Sequence, residues 1–530
     1  MEKIKKIKII LGKSGVILLL ILILGLALRL VNLGIQPYWG DEVVDLGIIQ
    51  HYQGNLPGII DYFRAVEANP PLYCLLLNFW TKWFGFGEFA VRFLSAIFGL
   101  GVILLSYYAG KIIFKNKNVG LLAALITAIL PMQIAFSQEA RAYIFFCFFG
   151  LLAMIALGKY FEKKSWKYLA IYTIAILLGL YLHYSFILFL LAASAFWFFK
   201  IASEPENRGR ELTRFFIVHG AVFLGFFWWL DALLMRVCLG NIIIFGAARA
   251  DVATRDINFF DSLFNQLIWL TKQKELSRPE IISIFLFKIS FLSAIIYLAG
   301  KFSYSFKNLW RDGKFYLVWI FGAVSIFFLF SPQSVNYINF FEKHIIINSV
   351  IFSLLFALVL VKINNRKISL LVLIIFAASI LNCDARIMAD DSLADPYYNL
   401  KNVSQYLNQY YQSGDIVLMN YSSGRADLNY YLDKKISVIP IYPTFLLNDD
   451  MYYSRSTMGF LESEFQFRWD NPTKEGIDNK LNFIIKNKNP HRVWIYGRDT
   501  LILQYFNDKD WRLALTPISD LFPVSLYVKR

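Results

Sequence analysis

Up to about residue 383 the chain is built of long apolar runs separated by short polar stretches rich in lysine. Beyond it the apolar segments become short and alternate with polar ones. A helix needs roughly 20 mostly apolar residues to cross the hydrocarbon core of a bilayer. Runs of that order lie at 14–33, 89–112, 119–136, 141–160, 166–182, 184–200, 215–238, 281–300, 315–331, 344–361 and 367–383. The pattern therefore predicts a polytopic α-helical membrane protein with about eleven transmembrane helices. The first run follows Lys3, Lys5, Lys6, Lys8 and Lys13 and lacks a signal peptide's short apolar core and small-residue cleavage site, so it reads as an uncleaved anchor.

The loop charges order these spans. With the N-terminus in the cytoplasm and the spans alternating, the inner loops contain Lys111, Lys115 and Lys117; Lys159, Lys163, Lys164 and Lys167; and Lys200, Arg208, Arg210 and Arg214. Further along they contain Lys301, Lys307, Arg311 and Lys314, and then Lys362, Arg366 and Lys367. Each short inner loop is cationic, as the positive-inside rule requires. This topology puts the first loop, residues 34–88, and the C-terminal segment on the non-cytoplasmic side.

From about residue 384 the periodicity changes. Residues 398–412 read as an amphipathic helix, and 416–419, 436–439, 492–496 and 524–528 as short buried strands between helical stretches. The expected organisation is a transmembrane domain over 1–383, with amphipathic helices in its 34–88 loop, and a small soluble extracytoplasmic α/β domain over 384–530. Asn402-Val403-Ser404 and Asn420-Tyr421-Ser422 match the short glycosylation pattern.

Composition fits this class. Of 530 residues, 57% are hydrophobic, 18% aromatic and 17% charged, against about 25% charged in an ordinary soluble domain. A disordered chain, a disulfide scaffold and a purely soluble enzyme are thereby excluded. The 53 Lys and Arg against 38 Asp and Glu give a net charge of +15, but the cations sit in loops between spans, so the bilayer explains them and nucleic acid is not expected. Cys74, Cys147, Cys238 and Cys383 show no metal or redox spacing.

Candidate chemistry gathers in the non-cytoplasmic loops. Directly after the first span comes Tyr38-Trp39-Gly40-Asp41-Glu42-Val43-Val44-Asp45, whose acids could open an amphipathic helix with Val44, Ile48, Ile49 and Tyr52 on its apolar side. Asp41 as an N-cap with Glu42 and Asp45 as first-turn charges is the structural reading, and a catalytic acid pair the functional one. Asn69-Pro70-Pro71-Leu72-Tyr73 reads as a helix start that Asn69 can cap, and Glu88 and Arg92, four apart, can pair on one helical face. Ser137-Gln138-Glu139-Ala140-Arg141-Ala142-Tyr143 fills another outer turn, where Glu139 and Arg141 point differently and Arg141 can hold a phosphate. His183-Tyr184 and Glu342-Lys343-His344 follow on the same side. Acids, cations and histidines from separate loops thus converge on one membrane face, and ionisable groups at a membrane mark sites by default.

The order of these motifs resembles the GT-C glycosyltransferases of the protein O-mannosyltransferase and aminoarabinose transferase superfamily. The likeness rests on Asp41-Glu42, then Asn69-Pro70-Pro71-Leu72-Tyr73, Phe84-Gly85 and the Glu88 to Gly99 stretch, then Ser137 to Tyr143 and His183-Tyr184. It covers residues 20–200 and, in outline, 340–530. The resemblance implies a polyprenyl-phosphate sugar donor, an inverting transfer on the non-cytoplasmic face, Asp41 as the acidic catalytic residue and an external C-terminal domain. Two positions depart from the family pattern. Asn69 stands where members often have His, and Lys343-His344 where they have Arg-Tyr, which keeps a positive charge without the bidentate fork of Arg.

For displacement at an anomeric carbon, an acceptor hydroxyl must lose its proton and a carboxylate within reach can take it. Asp41 is assigned that role, with Glu42 tuning it or binding the acceptor. The lipid phosphate leaves as an anion and needs fixed cations, for which Arg141 and Lys343 are chosen, then Arg92. Glu139, His183, Tyr143, His344 and Asn69 are candidates for substrate contact. A divalent metal held by Glu139 and His183 stays open as an alternative. The expected partners are a polyprenyl-phosphate-linked sugar, a lipid, protein or glycan acceptor, and the bilayer of a bacterial or archaeal plasma membrane. A transporter or flippase and a polysaccharide ligase or polymerase are the competing classes. A transporter calls for ionisable groups at the bilayer midplane, which these spans largely lack.

Overall fold

The computed structural model describes residues 2–238, 346–389, 400–419, 430–440, 474–496, 500–515 and 524–530, except positions 39, 53, 66, 68, 204, 364, 434, 437, 508 and 510. The expected spans at 281–300 and 315–331 lie outside the described residues, and so do Lys343 and His344. Two compact units form. One comprises residues 1–33, 60–85 and 90–389, the other residues 34–59, 86–89 and 390–530.

The first unit is helical. Its helices are α1 (Glu2–Leu30), then α4 (Leu72–Phe84), α5 (Glu88–Ile113), α6 (Lys117–Ile129), α7 (Pro131–Ala135), α8 (Tyr143–Lys163), α9 (Trp166–Leu182) and α10 (Phe186–Ser203). They continue with α11 (Arg208–Phe227), α12 (Leu230–Cys238), α13 (Ile346–Lys362) and α14 (Arg366–Ala389), while α2 (Gly40–His51) and α3 (Leu56–Ala65) occupy the first loop. Among the described residues three helices are long and apolar enough to cross a membrane, Gly12–Leu30, Glu88–Ile113 and Tyr143–Lys163, and 117–129, 166–182, 186–202 and 346–362 are shorter apolar helices. This is a membrane protein. Helices α5 and α6 approach closely at two glycines, since a Cβ on Gly110 would lie 2.6 Å from the Cα of Gly120. Small residues permit such backbone contact where lipid offers no hydrophobic drive.

Two predicted spans are broken helices. The 119–136 run ends as α6, turns at Leu130 in an extended conformation and resumes as α7, because Pro131 has no N–H for the Thr127 carbonyl and pushes the residue before it out of helical geometry. Arg29 of α1 repairs the break. Its Nη2 reaches the Thr127 oxygen at 3.5 Å and its Nη1 the Ala128 oxygen at 3.1 Å. The 215–238 run divides into α11 and α12 around Trp228-Trp229, where Arg64 donates to the Trp228 carbonyl at 2.9 Å and lies 4.8 Å from the centre of that indole ring.

The second unit holds a five-stranded sheet of β1 (Ile416–Met419), β2 (Val438–Pro440), β3 (Arg492–Tyr496), β4 (Trp511–Leu515) and β5 (Val524–Lys529), in the order β2-β1-β3-β5-β4. Strand β1 is parallel to β2 and β3, and β5 is antiparallel to β3 and β4. Alternate residues face opposite sides of a strand. Ile416, Leu418, Val493 and Ile495 pack with Ile477, Leu481 and Ile484 of α16 (Lys474–Lys488) and with Ile502 and Phe506 of α17 (Thr500–Asn507). Val417, Met419, Trp494 and Tyr496 pack with Val403 and Leu407 of α15 (Leu400–Tyr410) on the other side. Coverage on both faces explains why β1 and β3 are continuously apolar. Val403 and Ser404 of the first glycosylation match are fully buried in α15, while its Asn402 is exposed.

Candidate functional site

The site residues named from sequence fall in both units. In the second unit, α2 begins at Gly40, which puts Asp41 and Glu42 in its first turn, where the exposed N–H groups and the helix dipole favour negative charge. Asp41 is half-buried, Glu42 fully buried and Asp45 5% exposed. Asp41 and Asp45 are four residues apart and share a helix face, so like charges are concentrated there. Removing carboxylates from water is costly without compensating partners, and all three engage other groups of the protein. Most of the helix is buried, Ile48 and Ile49 as expected for the apolar side and Val43 and Leu46 as well.

The segment leading into α2 is fastened within the same unit. The Tyr38 N–H donates to the Tyr431 hydroxyl at 2.7 Å, and that hydroxyl donates to Glu88 Oε1 at 3.2 Å. Lys401 of α15 donates to the same oxygen at 2.6 Å, and the Tyr38 hydroxyl donates to the Phe86 carbonyl at 2.9 Å. Glu88, expected to pair with Arg92, is thus bound by Lys401 and Tyr431. The Tyr38 ring stacks on Tyr431 with 6.5 Å between centroids and meets Tyr430 edge-on at 5.5 Å. Burial pushes the Tyr430 phenol up to about 12, opposed by a hydrogen bond with Gln50 near the other end of α2.

In the first unit the turn between α7 and α8 carries Glu139 and Arg141, both half-buried. Arg29 Nε donates to Ser137 Oγ at 3.1 Å, and Ser137 Oγ donates to the Gln133 carbonyl at 2.5 Å. Gln138 returns the contact, its Nε2 donating to the carbonyls of Arg29 at 3.1 Å and Val31 at 2.7 Å, where α1 ends and has no further N–H of its own to offer. The end of α6 is therefore capped by Arg29 of α1, and the end of α1 by Gln138 of the turn after α7. A Cβ on Gly99 would overlap Ser137 Oγ and lie 2.8 Å from Arg29 Nε, so the clasp requires a glycine there.

His183 is the C-cap of α9. The Ser185 N–H donates to its Nδ1 at 3.1 Å, and the rings of His183 and Tyr143 lie 6.4 Å apart, so these two candidates are brought together. Arg92 is buried in α5 and donates to the Leu33 carbonyl at 3.4 Å. Asn69 is half-buried, but the N-cap of α4 is Pro71, with no side-chain cap. The expectation that Asn69 caps this helix is corrected, because the cap position lies two residues later. Among the described residues no group of three or more His, Cys, Asp and Glu side chains is arranged to hold a metal ion.

Residues 68–229 match the family model described as dolichyl-phosphate-mannose-protein mannosyltransferase. Over 96% of this chain and 97% of the other, the structure is similar to that of ArnT from Cupriavidus metallidurans in the apo state, with a TM-score of 0.63 and 12% identity. The chain has a GT-C fold. ArnT from the same organism bound to undecaprenyl phosphate matches this GT-C fold at a TM-score of 0.60 and 12% identity, with the same coverage. An uncharacterized protein of Aquifex aeolicus (strain VF5) is 30% identical over 105 residues, so the chain spans about a fifth of that relative, 21% of its length. Residues 68–229 thus match a mannosyltransferase family model within a chain of GT-C fold.

Sequence reasoning passed over Arg29, Lys401 and Tyr431. Arg29 had a signal, being a cation inside an apolar span, where ionisable side chains are retained for a reason. Lys401 and Tyr431 had none, since their partners lie more than 300 residues away.

Proposed function

We propose that this chain is an integral membrane glycosyltransferase that moves a sugar from a polyprenyl-phosphate donor to an acceptor hydroxyl, with inversion, on the non-cytoplasmic face. The observation that carries the reading is the GT-C fold, matched over 96% of the chain to an ArnT solved with undecaprenyl phosphate. The family match over residues 68–229, whose description names a dolichyl-phosphate sugar, supports the same donor class. The N-terminus is assigned to the cytoplasm, and residues 384–530 to the outside.

In this reading the acceptor oxygen attacks the anomeric carbon as the bond from that carbon to the phosphate oxygen breaks, which inverts the centre. The acceptor proton passes to the Asp41 carboxylate, and the polyprenyl phosphate departs with the bonding electron pair. Glu42, on the same turn, tunes Asp41 or binds the acceptor. Arg141 and Lys343 stabilise the growing phosphate charge, with Arg92 as a third cation, and fixed charges aimed at a leaving group act most strongly where water is excluded. Glu139, Tyr143, His183, His344 and Asn69 are assigned to substrate binding. Almost the whole chain follows a transferase fold, which favours this reading over transport.

The test is purified protein in lipid nanodiscs given a panel of polyprenyl-phosphate-linked hexoses and pentoses together with lipid, protein and glycan acceptors, with release of free polyprenyl phosphate as the readout. At least one donor is expected to be consumed, with the product anomer opposite to the donor's. No consumption by well-folded protein across the panel contradicts the proposal.

A further inference from the structure

Residues 34–59, which bear the acid pair, belong to one compact unit with residues 86–89 and the C-terminal sheet region, and the contacts that join them are specific. Lys401 Nζ and the Tyr431 hydroxyl both donate to Glu88 Oε1, at 2.6 and 3.2 Å, and the Tyr431 hydroxyl also accepts the Tyr38 N–H at 2.7 Å. Tyr38 is 2% exposed and stands three residues before Asp41. The ammonium of Lys401 lies 5.7 Å from the centre of the Tyr431 ring. On the other side, Asn408 of α15 donates to the Tyr431 carbonyl at 3.0 Å and accepts the Asp433 N–H at 2.7 Å. Its neighbours Leu407 and Leu432 belong to the sheet core. A continuous path of hydrogen bonds and packing thus runs from the sheet, through α15 and Tyr431, to the backbone just before the acids.

We infer that Lys401 and Tyr431 of the C-terminal α/β region are positioning residues for the first-loop acid helix, and that this region orients Asp41 rather than serving only as a cover or partner surface. The inference rests on the proposed role of Asp41. Glu88 is the joint, since one carboxylate oxygen takes both donors. Charge-assisted hydrogen bonds of this kind are shorter and stronger than neutral ones and fix geometry as well as adding energy. A small misplacement of a catalytic group lowers turnover without abolishing substrate binding.

The test compares wild type, Tyr431→Phe, Lys401→Ala, Lys401→Arg and Asp41→Asn as full-length protein in nanodiscs. Amide hydrogen exchange over residues 36–51 is measured alongside donor consumption. Tyr431→Phe and Lys401→Ala are expected to exchange about tenfold faster across α2, as loss of one charged hydrogen bond allows. They are also expected to lose kcat with KM unchanged, and Lys401→Arg to restore both. Asp41→Asn should lose turnover with wild-type exchange. Unchanged exchange over 36–51 in both variants overturns the inference, and so does faster exchange with unaltered kcat. If wild type consumes no donor, the proposed function fails, while exchange still decides whether the clasp holds the helix.

Discussion

At Arg29 a single buried side chain donates to four acceptors, the Gly25, Thr127 and Ala128 carbonyls and Ser137 Oγ. Arg29→Ala is expected to destabilise the helical unit by about 2–4 kcal/mol, read as a fall in detergent-denaturation midpoint, because carbonyls left bare in an apolar interior cost their full desolvation. Arg29→Lys, lacking the planar fork, should recover only part of the loss. Gly99→Ala forces a methyl onto Ser137 Oγ and should cost about 1–3 kcal/mol by the same measurement. Wild-type stability in Gly99→Ala would show that the clasp yields easily. The acids at 41, 42 and 45 were visible in sequence as residues. Their burial was not, because it depends on chain segments far along the sequence.

At the scale of elements, hydrophobic patterning located most of the architecture. The span read at 344–361 is α13 at 346–362, the one at 166–182 is α9 with the same bounds, and strands 416–419 and 492–496 match β1 and β3. Breaks were missed where a proline or a tryptophan pair interrupts an apolar run, since hydropathy registers polarity and not hydrogen-bond geometry. Strand β4 was missed because it lies at the sheet edge with an exposed middle, Arg512 to Ala514, and gives no buried run. Asp415, 6% exposed just before β1, accepts from the Trp494 indole at 2.8 Å, the Gln412 N–H at 2.9 Å and Arg492 at 3.2 Å. Asp415→Ala should therefore loosen the sheet region by about 1–3 kcal/mol, seen as proteolysis within residues 400–530 at lower temperature. Unchanged protease resistance would contradict that role.

For the molecule as a whole, composition alone placed the chain in a membrane, and the order of short motifs pointed to a GT-C fold that the structure bears out. Residues 34–59 and 86–89 share a compact unit with residues 390–530, and residues 60–85 share one with the helices. That grouping depends on pairs such as Lys401 with Glu88, which no local pattern announces. We propose that the first-loop carboxylate takes the acceptor proton in transfer from a polyprenyl-phosphate sugar. The most direct test is the single-turnover rate of polyprenyl phosphate release by wild type and by Asp41→Asn at saturating donor and acceptor. A general base contributes about 10²–10⁴-fold, so Asp41→Asn should lose at least a hundredfold while still binding the lipid donor. An Asp41→Asn rate within a few-fold of wild type would contradict the account.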